Sequence, residues 1–418
     1  MLPPVRALAT ELGIAAGTVA AAYRLLAQRG VVETNGRAGT RIRSRPAALS
    51  GRREVGVPEG LIDLASGNPD PAFLPSANTA MAVVVQQEVW MRPGLYGDPA
   101  VLPELGAWAE DRFRAEGVGL EAVTVVSGAL DAVERALQSH ARPGMRVAAE
   151  DPGYAGLLDL LSALGLIVEP VPVDDEGMTP DGLARALRRG AQAVIVTPRA
   201  QNPTGAALTD NRAAALAEVL DSAPEVLVIE DDHAGAIAGI PLRSIVSGRH
   251  FDERRRALMI RSCSKSLGPD LRVALVAGDP ETVAAIEERR AVGPGWTSHL
   301  LQAVAYVMLS DPEGEVHLAE VADVYAERRE ALISSLVALG VAAHGRSGLN
   351  VWVPVGDEAK AVAGMAAHGW AIAAGARFRT ASPPGVRITT AALGVDYADV
   401  VAECLAGSLG PTGRTRSG

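Results

Sequence analysis

The residue with the richest chemical surroundings in this chain is a lysine. Of its 39 Lys and Arg residues, only Lys265 and Lys360 are Lys. Most positive sites therefore work with a guanidinium, which stays charged; a lysine amine can lose its proton and attack a carbonyl carbon. Lys360, in Gly356-Asp357-Glu358-Ala359-Lys360, reads as an exposed helix start. Lys265 lies in Ser262-Cys263-Ser264-Lys265-Ser266-Leu267-Gly268-Pro269-Asp270-Leu271-Arg272, with two hydroxyls before it and a guanidinium after it. Three more segments carry polar groups in unusual density: Arg199-Ala200-Gln201-Asn202-Pro203-Thr204-Gly205, Asp231-Asp232-His233, and Ser127-Gly128-Ala129-Leu130. The last opens a helical stretch, so its backbone N–H groups are suited to a phosphate. Cys263 reads as a small buried residue rather than a nucleophile.

The elements needed to position these groups are strands that end together. Apolar runs predict strands at Arg146–Glu150, Leu166–Val173, Ala193–Pro198, Val226–Glu230, Ala257–Ser262 and Val273–Ala277, most of them separated by helical stretches. That alternation predicts an α/β domain with a largely parallel sheet. Such sheets bind ligands at the carboxyl ends of their strands, where three of the four segments fall. Residues 297–338 read as mostly helical, and a smaller α+β unit follows to about Leu409. Residues 47–60 are polar and aperiodic and read as a linker; 411–418 read as a disordered tail.

Ahead of the linker lies a different unit. Val5, Leu8, Ala9 and Leu12 share one face of a short helix, and Val19, Ala22, Tyr23 and Leu26 one face of a second. Val31–Thr34 and Thr40–Arg43 flank Asn35-Gly36, a strong hairpin signal. Residues 1–46 hold seven Arg, no Lys and two acids, a charge of +5 on a chain of −10, so the rest carries −15. A basic head on an acidic body points to a polyanion for the head alone. No apolar run approaches the roughly 18 residues of a membrane span. Met1–Arg6 has no basic region leading into an apolar one, so no signal peptide is expected. Two cysteines, Cys263 and Cys404, are too few for a disulfide framework or a zinc site. A cytoplasmic protein that meets no membrane is expected.

The four segments, in this order, resemble fold-type I pyridoxal 5′-phosphate (PLP) enzymes of the aminotransferase family over residues 61–410, with a large and a small subdomain. The patterns S-x-S-K-x-x-x-x-x-x-R and N-P-x-G carry the match. The resemblance implies a Schiff base on Lys265 and Asp231 on the pyridine nitrogen, which keeps the ring an electron sink. It implies Asn202 at the phenolic oxygen, and Ser127, Gly128, Ala129, Ser262, Ser264 and Arg272 at the phosphate. Tyr154 is the expected stacking ring, and Arg387 in Gly385-Val386-Arg387-Ile388-Thr389 the grip on a substrate carboxylate. Tyr96 and Ser298 resemble residues that reach a partner's phosphate in a homodimer. Many members of that family have tyrosine where this chain has His233, which can still donate to the phenolic oxygen but titrates near neutral pH.

Residues 2–43 resemble the GntR-type winged helix-turn-helix. Leu2-Pro3-Pro4-Val5-Arg6-Ala7-Leu8-Ala9 follows L-P-S-x-R-x-L-A, Thr18-Val19 opens the recognition helix, and Arg37-Ala38-Gly39-Thr40 follows the wing. The resemblance implies Arg6, Thr18, Arg37 and Thr40 at double-stranded DNA; Arg41 joins them on charge. It also implies a helix before Leu2, which the sequence as given lacks. A GntR-type head on an aminotransferase-like body is the architecture of the MocR/GabR-type regulators. The segments around Asn202, Asp231 and Lys265 look closest to the PtsJ branch, associated with vitamin B6 salvage. PLP itself is then an expected signal, with an amino acid or a B6 vitamer as a further effector. Two functions stay open: a PLP-responsive transcription factor, and a working aminotransferase with a vestigial head.

Overall fold

A computed structural model describes residues 2–28, 32–34, 39–42, 56–92, 94–119, 121–246 and 256–409. The head has helices Val5–Leu12 and Ala16–Gln28 and strands Val32–Thr34 and Thr40–Ile42. The strands pair antiparallel, with Val32 opposite Ile42. Gly13, at φ +65°, ends the first helix in the left-handed conformation that glycine takes without penalty. Ala9, Val19 and Tyr23 form the buried centre, with Leu2, Val5 and Leu8 against them. Tyr23 Oη donates to Pro3 O at 2.9 Å, and Leu2 N to Thr40 O at 2.7 Å, which laces the first residues to the second strand. Two expected inward residues face out: Leu12 is 56% exposed, and Ala22 is exposed as well. The helices meet along Ala9, Val19 and Tyr23; Leu12 lies past the end of that contact, and Ala22, one residue from Tyr23 and so turned about 100° round the helix, lies beside it. The Asn35-Gly36 turn, Arg37, most of residues 47–60 and the tail 411–418 lie outside the described residues.

The body's large sheet has eight strands. From one edge they are Ala122–Val126, Ala274–Gly278, Ala257–Ser262, Leu227–Asp232, Ala191–Val196, Arg146–Asp151, Ile167–Asp174 and Gly177–Met178. The five from Ala257–Ser262 to Ile167–Asp174 run parallel. Ala274–Gly278 runs antiparallel to both its neighbours. Both faces are covered, and alternate residues serve different cores: Ile229 and Ile260 pack with Val133, Leu137 and Leu161, while Val228 packs with Leu216 and Leu220. Each such side chain removed from water contributes about 1.5–3 kcal/mol, which explains why these runs read as continuous apolar strands.

The strand directions gather the site. Parallel strands end at one edge, so residues 197–202, 231–233 and 262–265 meet there. The reversed strand Ala274–Gly278 begins at that edge and brings Arg272 to it. Ala122–Val126, reversed again, ends there at Ser127-Gly128. This edge strand was not among the expected ones.

The smaller unit has a four-stranded sheet in the order Asn350–Pro354, Gly385–Thr389, Trp370–Ala374, Ile62–Leu64. Helices Pro312–Ala338, Glu358–Ala367 and Ala398–Leu409 cover it over Leu332, Val351, Met365, Ile388 and Leu405. Ile62–Leu64, the first strand after the head among the described residues, joins this sheet by parallel pairing with Trp370–Ile372. Among the described residues no helix is long and apolar enough to cross a membrane, and no cluster of His, Cys, Asp or Glu is arranged to hold a metal ion.

Candidate functional site

At that sheet edge Ser127–Ala129, Ser262–Ser264 and Arg272 form a cup, in which Arg272 Nη2 donates to Ser127 O at 2.6 Å. Gly128, at φ +106°, sits so close to the Arg272 guanidinium that a Cβ there would collide with it. Helix Ala129–His140 starts immediately after, and its first turn carries N–H groups with no acceptor inside the helix. Ser264 N donates to Ser262 Oγ at 3.2 Å, and the two hydroxyls are 3.1 Å apart. Ser127 Oγ lies 3.4 Å from Thr297 Oγ1, one residue before the exposed Ser298. One cation, four hydroxyls and a helix N-terminus make an anion site.

Lys265 Nζ donates to Gly67 O at 2.6 Å. Asp231 is 8% exposed, and its Oδ1 is buried with no hydrogen-bond partner. Burial, then the neighbouring Asp232 and Glu150 charges, push the Asp231 carboxyl up to about 7. Asp232 behaves oppositely. Burial alone would raise it, but Arg199 and Arg261 outweigh that and hold it well below the carboxylate range. Arg199 grips it with two bonds of 2.8 and 2.9 Å, and Arg261 Nε at 2.9 Å, while Arg261 also reaches Glu116. Adjacent acids thus split: one neutralised by guanidinium groups, the other left waiting for a donor.

His233 Nε2 is 2.9 Å from Ala200 O. A carbonyl only accepts, so Nε2 carries the hydrogen and Nδ1 is an acceptor in the neutral ring. Burial, then the Lys265 charge, pushes His233 down to about 4. This corrects the expectation of a donor titrating near neutrality: buried beside a cation, the ring stays neutral and its only N–H is spent on the backbone.

Arg387, 4% exposed, donates to Asn202 Oδ1 at 3.0 Å and to Ala65 O, and stacks 4.8 Å from the Phe378 ring centroid. The Asn202 oxygen being so used, its amide N–H₂ faces elsewhere. Tyr154, 37% exposed, caps helix Ala155–Ala163, its ring against Gly156. Tyr96 is 96% exposed and touches Trp296 edge-on, with ring centroids 5.7 Å apart. In the head, Arg6, Thr18 and Arg41 are exposed and Thr40 half-buried. Lys360 is exposed near a helix start, and Cys263 is buried with its thiol pushed up to about 12.

Sequence reasoning missed the carbonyls of Ala65 and Gly67, the Phe378 ring, Thr297, and the Arg199–Asp232–Arg261–Glu116 network. The geometry suits a small aromatic aldehyde with phosphate at one end and a basic ring nitrogen. The unpartnered Asp231 oxygen calls for a cationic N–H, the cup for a phosphate, the Lys265 amine for a carbonyl. Those are the features of PLP.

Residues 59–405 match the family model described as aminotransferase class I and II, and residues 1–42 that of bacterial regulatory proteins of the gntR family. The chain is 41% identical over 395 residues to the vitamin B6 salvage pathway transcriptional repressor PtsJ of Salmonella typhimurium, covering 94% of this chain and 89% of that protein. It is 32% identical over 253 residues to the pyridoxine biosynthesis transcriptional regulator PdxR of Corynebacterium glutamicum, covering 58% of this chain and 54% of that one. It is 25% identical over 366 residues to the probable rhizopine catabolism regulatory protein MocR of Rhizobium meliloti, covering 80% and 72%. Among solved structures, a kynurenine aminotransferase of Pyrococcus horikoshii superposes with a TM-score of 0.74 at 23% identity, over 84% of this chain and 91% of that one; the likeness is one of fold.

Proposed function

Given that the chain belongs to the aminotransferase class I and II family and carries the gntR-family head of the MocR-type regulators, we propose that it senses PLP and controls vitamin B6 salvage in the cytoplasm. One observation carries this reading. A site with an unpartnered buried carboxylate oxygen and a lysine amine shares a chain with a DNA-binding head, in a sequence that aligns with the Salmonella repressor over 94% of its length.

In this reading the Lys265 amine would hold the cofactor covalently through its aldehyde. The Asp231 carboxylate would accept from the ring nitrogen. Ser127, Ser262, Ser264, Arg272 and the Gly128 and Ala129 amides would hold the phosphate, with Tyr154 as the aromatic partner of the ring. Asn202 donates its amide to the phenolic oxygen, its own oxygen being held by Arg387. His233 offers the same region an acceptor. Bound PLP supplies an electron-withdrawing ring. Tyr96, standing in solvent, and Ser298 complete the site of a second subunit in a homodimer. Arg6, Thr18, Arg37, Thr40 and Arg41 meet double-stranded DNA.

A second reading, a working aminotransferase, is favoured by Arg387, a buried carboxylate grip that a sensor of PLP alone does not need. A neutral His233 with its hydrogen already spent weighs against it. A reporter gene behind the chain's own upstream intergenic DNA separates the two. Feeding pyridoxal alters its expression with the natural chain and not with Lys265→Arg, whose guanidinium cannot form the imine. Expression indifferent to feeding, together with amino-group transfer by the purified protein, would establish the enzyme.

A further inference from the structure

We propose that Ile62–Gly67 is a strap that carries the state of the cofactor site toward the head: Lys265 holds it by the Gly67 carbonyl while the amine carries no aldehyde, and lets go when it takes one. This rests on the function proposed above and adds the route by which binding reaches the DNA-binding unit.

The strap's place in the chain makes it a candidate. Among the described residues it is the first strand after the head, so a pull along the chain reaches it before the other described elements of the body. On the other side its anchor is one side chain, Leu64, buried in the core of the smaller unit, while the residues on either side of it are held by few contacts. Ile62–Leu64 is a three-residue edge strand with one neighbour, and Ile62 is 51% exposed. Asp63 Oδ1 accepts from Ala65 N at 2.8 Å and Ser66 N at 2.9 Å, fixing the turn that follows. Two site cations then take hold: Arg387 donates to Ala65 O, and Lys265 Nζ to Gly67 O at 2.6 Å. Gly67 has φ +73°, and a Cβ there would stand 3.0 Å from Arg387 Nη2, so strap and guanidinium are in direct packing contact.

The chemistry of capture undoes one grip. The Lys265 ammonium first gives a proton to solvent. Its nitrogen then bonds the aldehyde carbon, the aldehyde oxygen leaves as water, and a C=N bond remains. A nitrogen that had three rotatable hydrogens keeps at most one, fixed in the C=N plane. The charge-assisted bond to Gly67 O is lost. Arg387 keeps its hold on Ala65 O until a carboxylate competes for it. An equilibrium shift of the strap follows because the aldehyde is bound well only by the released arrangement.

The test uses the full chain freed of PLP. Lys265→Ala and Lys265→Arg both lose the imine, but only the second retains a cation to hold Gly67. Hydrogen exchange is followed on a peptide spanning residues 61–68. Lys265→Ala without PLP, and the natural chain with PLP, should exchange about tenfold faster than the natural chain alone, the factor a charge-assisted hydrogen bond represents. Lys265→Arg should stay at the slow rate. Pyridoxine 5′-phosphate, whose alcohol cannot condense with the amine, should leave the strap slow in the natural chain. DNA affinity should follow: Lys265→Ala without PLP takes the value of the PLP-loaded natural chain. Slow exchange in Lys265→Ala, or equal acceleration by the aldehyde and the alcohol, overturns the strap. A natural chain whose DNA affinity ignores PLP overturns the proposed function instead, and the exchange result still decides the strap.

Discussion

Replacing Asp231 by asparagine should make the protein without PLP more stable at alkaline pH, and should cost it the cofactor. The Asp231 carboxyl is raised from 3.8 to about 7, by burial first and then by Asp232 and Glu150. A shift of that size corresponds to about 4 kcal/mol against the charged form at most. The sign follows from proton counting. Between pH 4 and 7 the folded chain holds this proton more tightly than the unfolded one, so stability falls as pH rises through that window and the full cost is present above it. Asparagine carries no charge but leaves unpaired polar atoms of its own, at about 1–3 kcal/mol. The net gain without PLP at pH 8 is then about 1–3 kcal/mol, a few degrees of melting temperature, and near pH 4, where the carboxyl is neutral, it turns into a loss of about 1–3 kcal/mol. With PLP the order reverses, because only the carboxylate meets the protonated ring nitrogen. Thermal unfolding at pH 4.5 and 8, with and without PLP, reads all four cases. A variant less stable than the natural chain at pH 8 without PLP, or one that PLP stabilises equally well, would refute the role of Asp231.

Gly128→Ala should weaken PLP binding about tenfold or more, since strained backbone costs of order 1–3 kcal/mol and the new methyl displaces Arg272; spectroscopic titration checks it, and unchanged affinity would count against the cup. Asp232→Asn should destabilise by about 3–5 kcal/mol, because Arg199 and Arg261 then share the single carboxylate of Glu116, and Arg199 only at 3.9 Å; urea unfolding measures it, and a loss under about 1 kcal/mol would show that the network is dispensable. Light scattering of the PLP-loaded chain should report a dimer; a monomer at micromolar concentration would remove the role given to Tyr96 and Ser298.

The parts of this molecule legible in its sequence are those with local or periodic causes. Buried strands such as Leu227–Asp232 and Ala257–Ser262 show as apolar runs, and their ends carry the polar segments that meet at the sheet edge. The head is legible from two short stripes and Asn35-Gly36, although Leu12 and Ala22 show that a stripe on a small unit can be longer and wider than the contact it makes. What was not legible depends on distant chain. Ala122–Val126 is five residues at an edge, short enough to pass as a loop between helices. Ile62–Leu64 becomes a strand by pairing with Trp370–Ile372, some 300 residues away. The carbonyls of Ala65 and Gly67 have no side-chain signature at all. The state of His233 turned on one contact with the Ala200 carbonyl, which residue type cannot announce. Arg199 could have been noticed as a charge inside an otherwise apolar strand end.

The claim that this chain reads PLP and answers on DNA is tested most directly by the affinity of the purified protein for its own upstream intergenic DNA, measured apo and PLP-loaded at fixed salt. Affinity should fall steeply with salt in both states, because phosphate contacts release counterions, and the two states should differ severalfold or more at every salt concentration. Equal affinity with and without bound PLP would contradict the account.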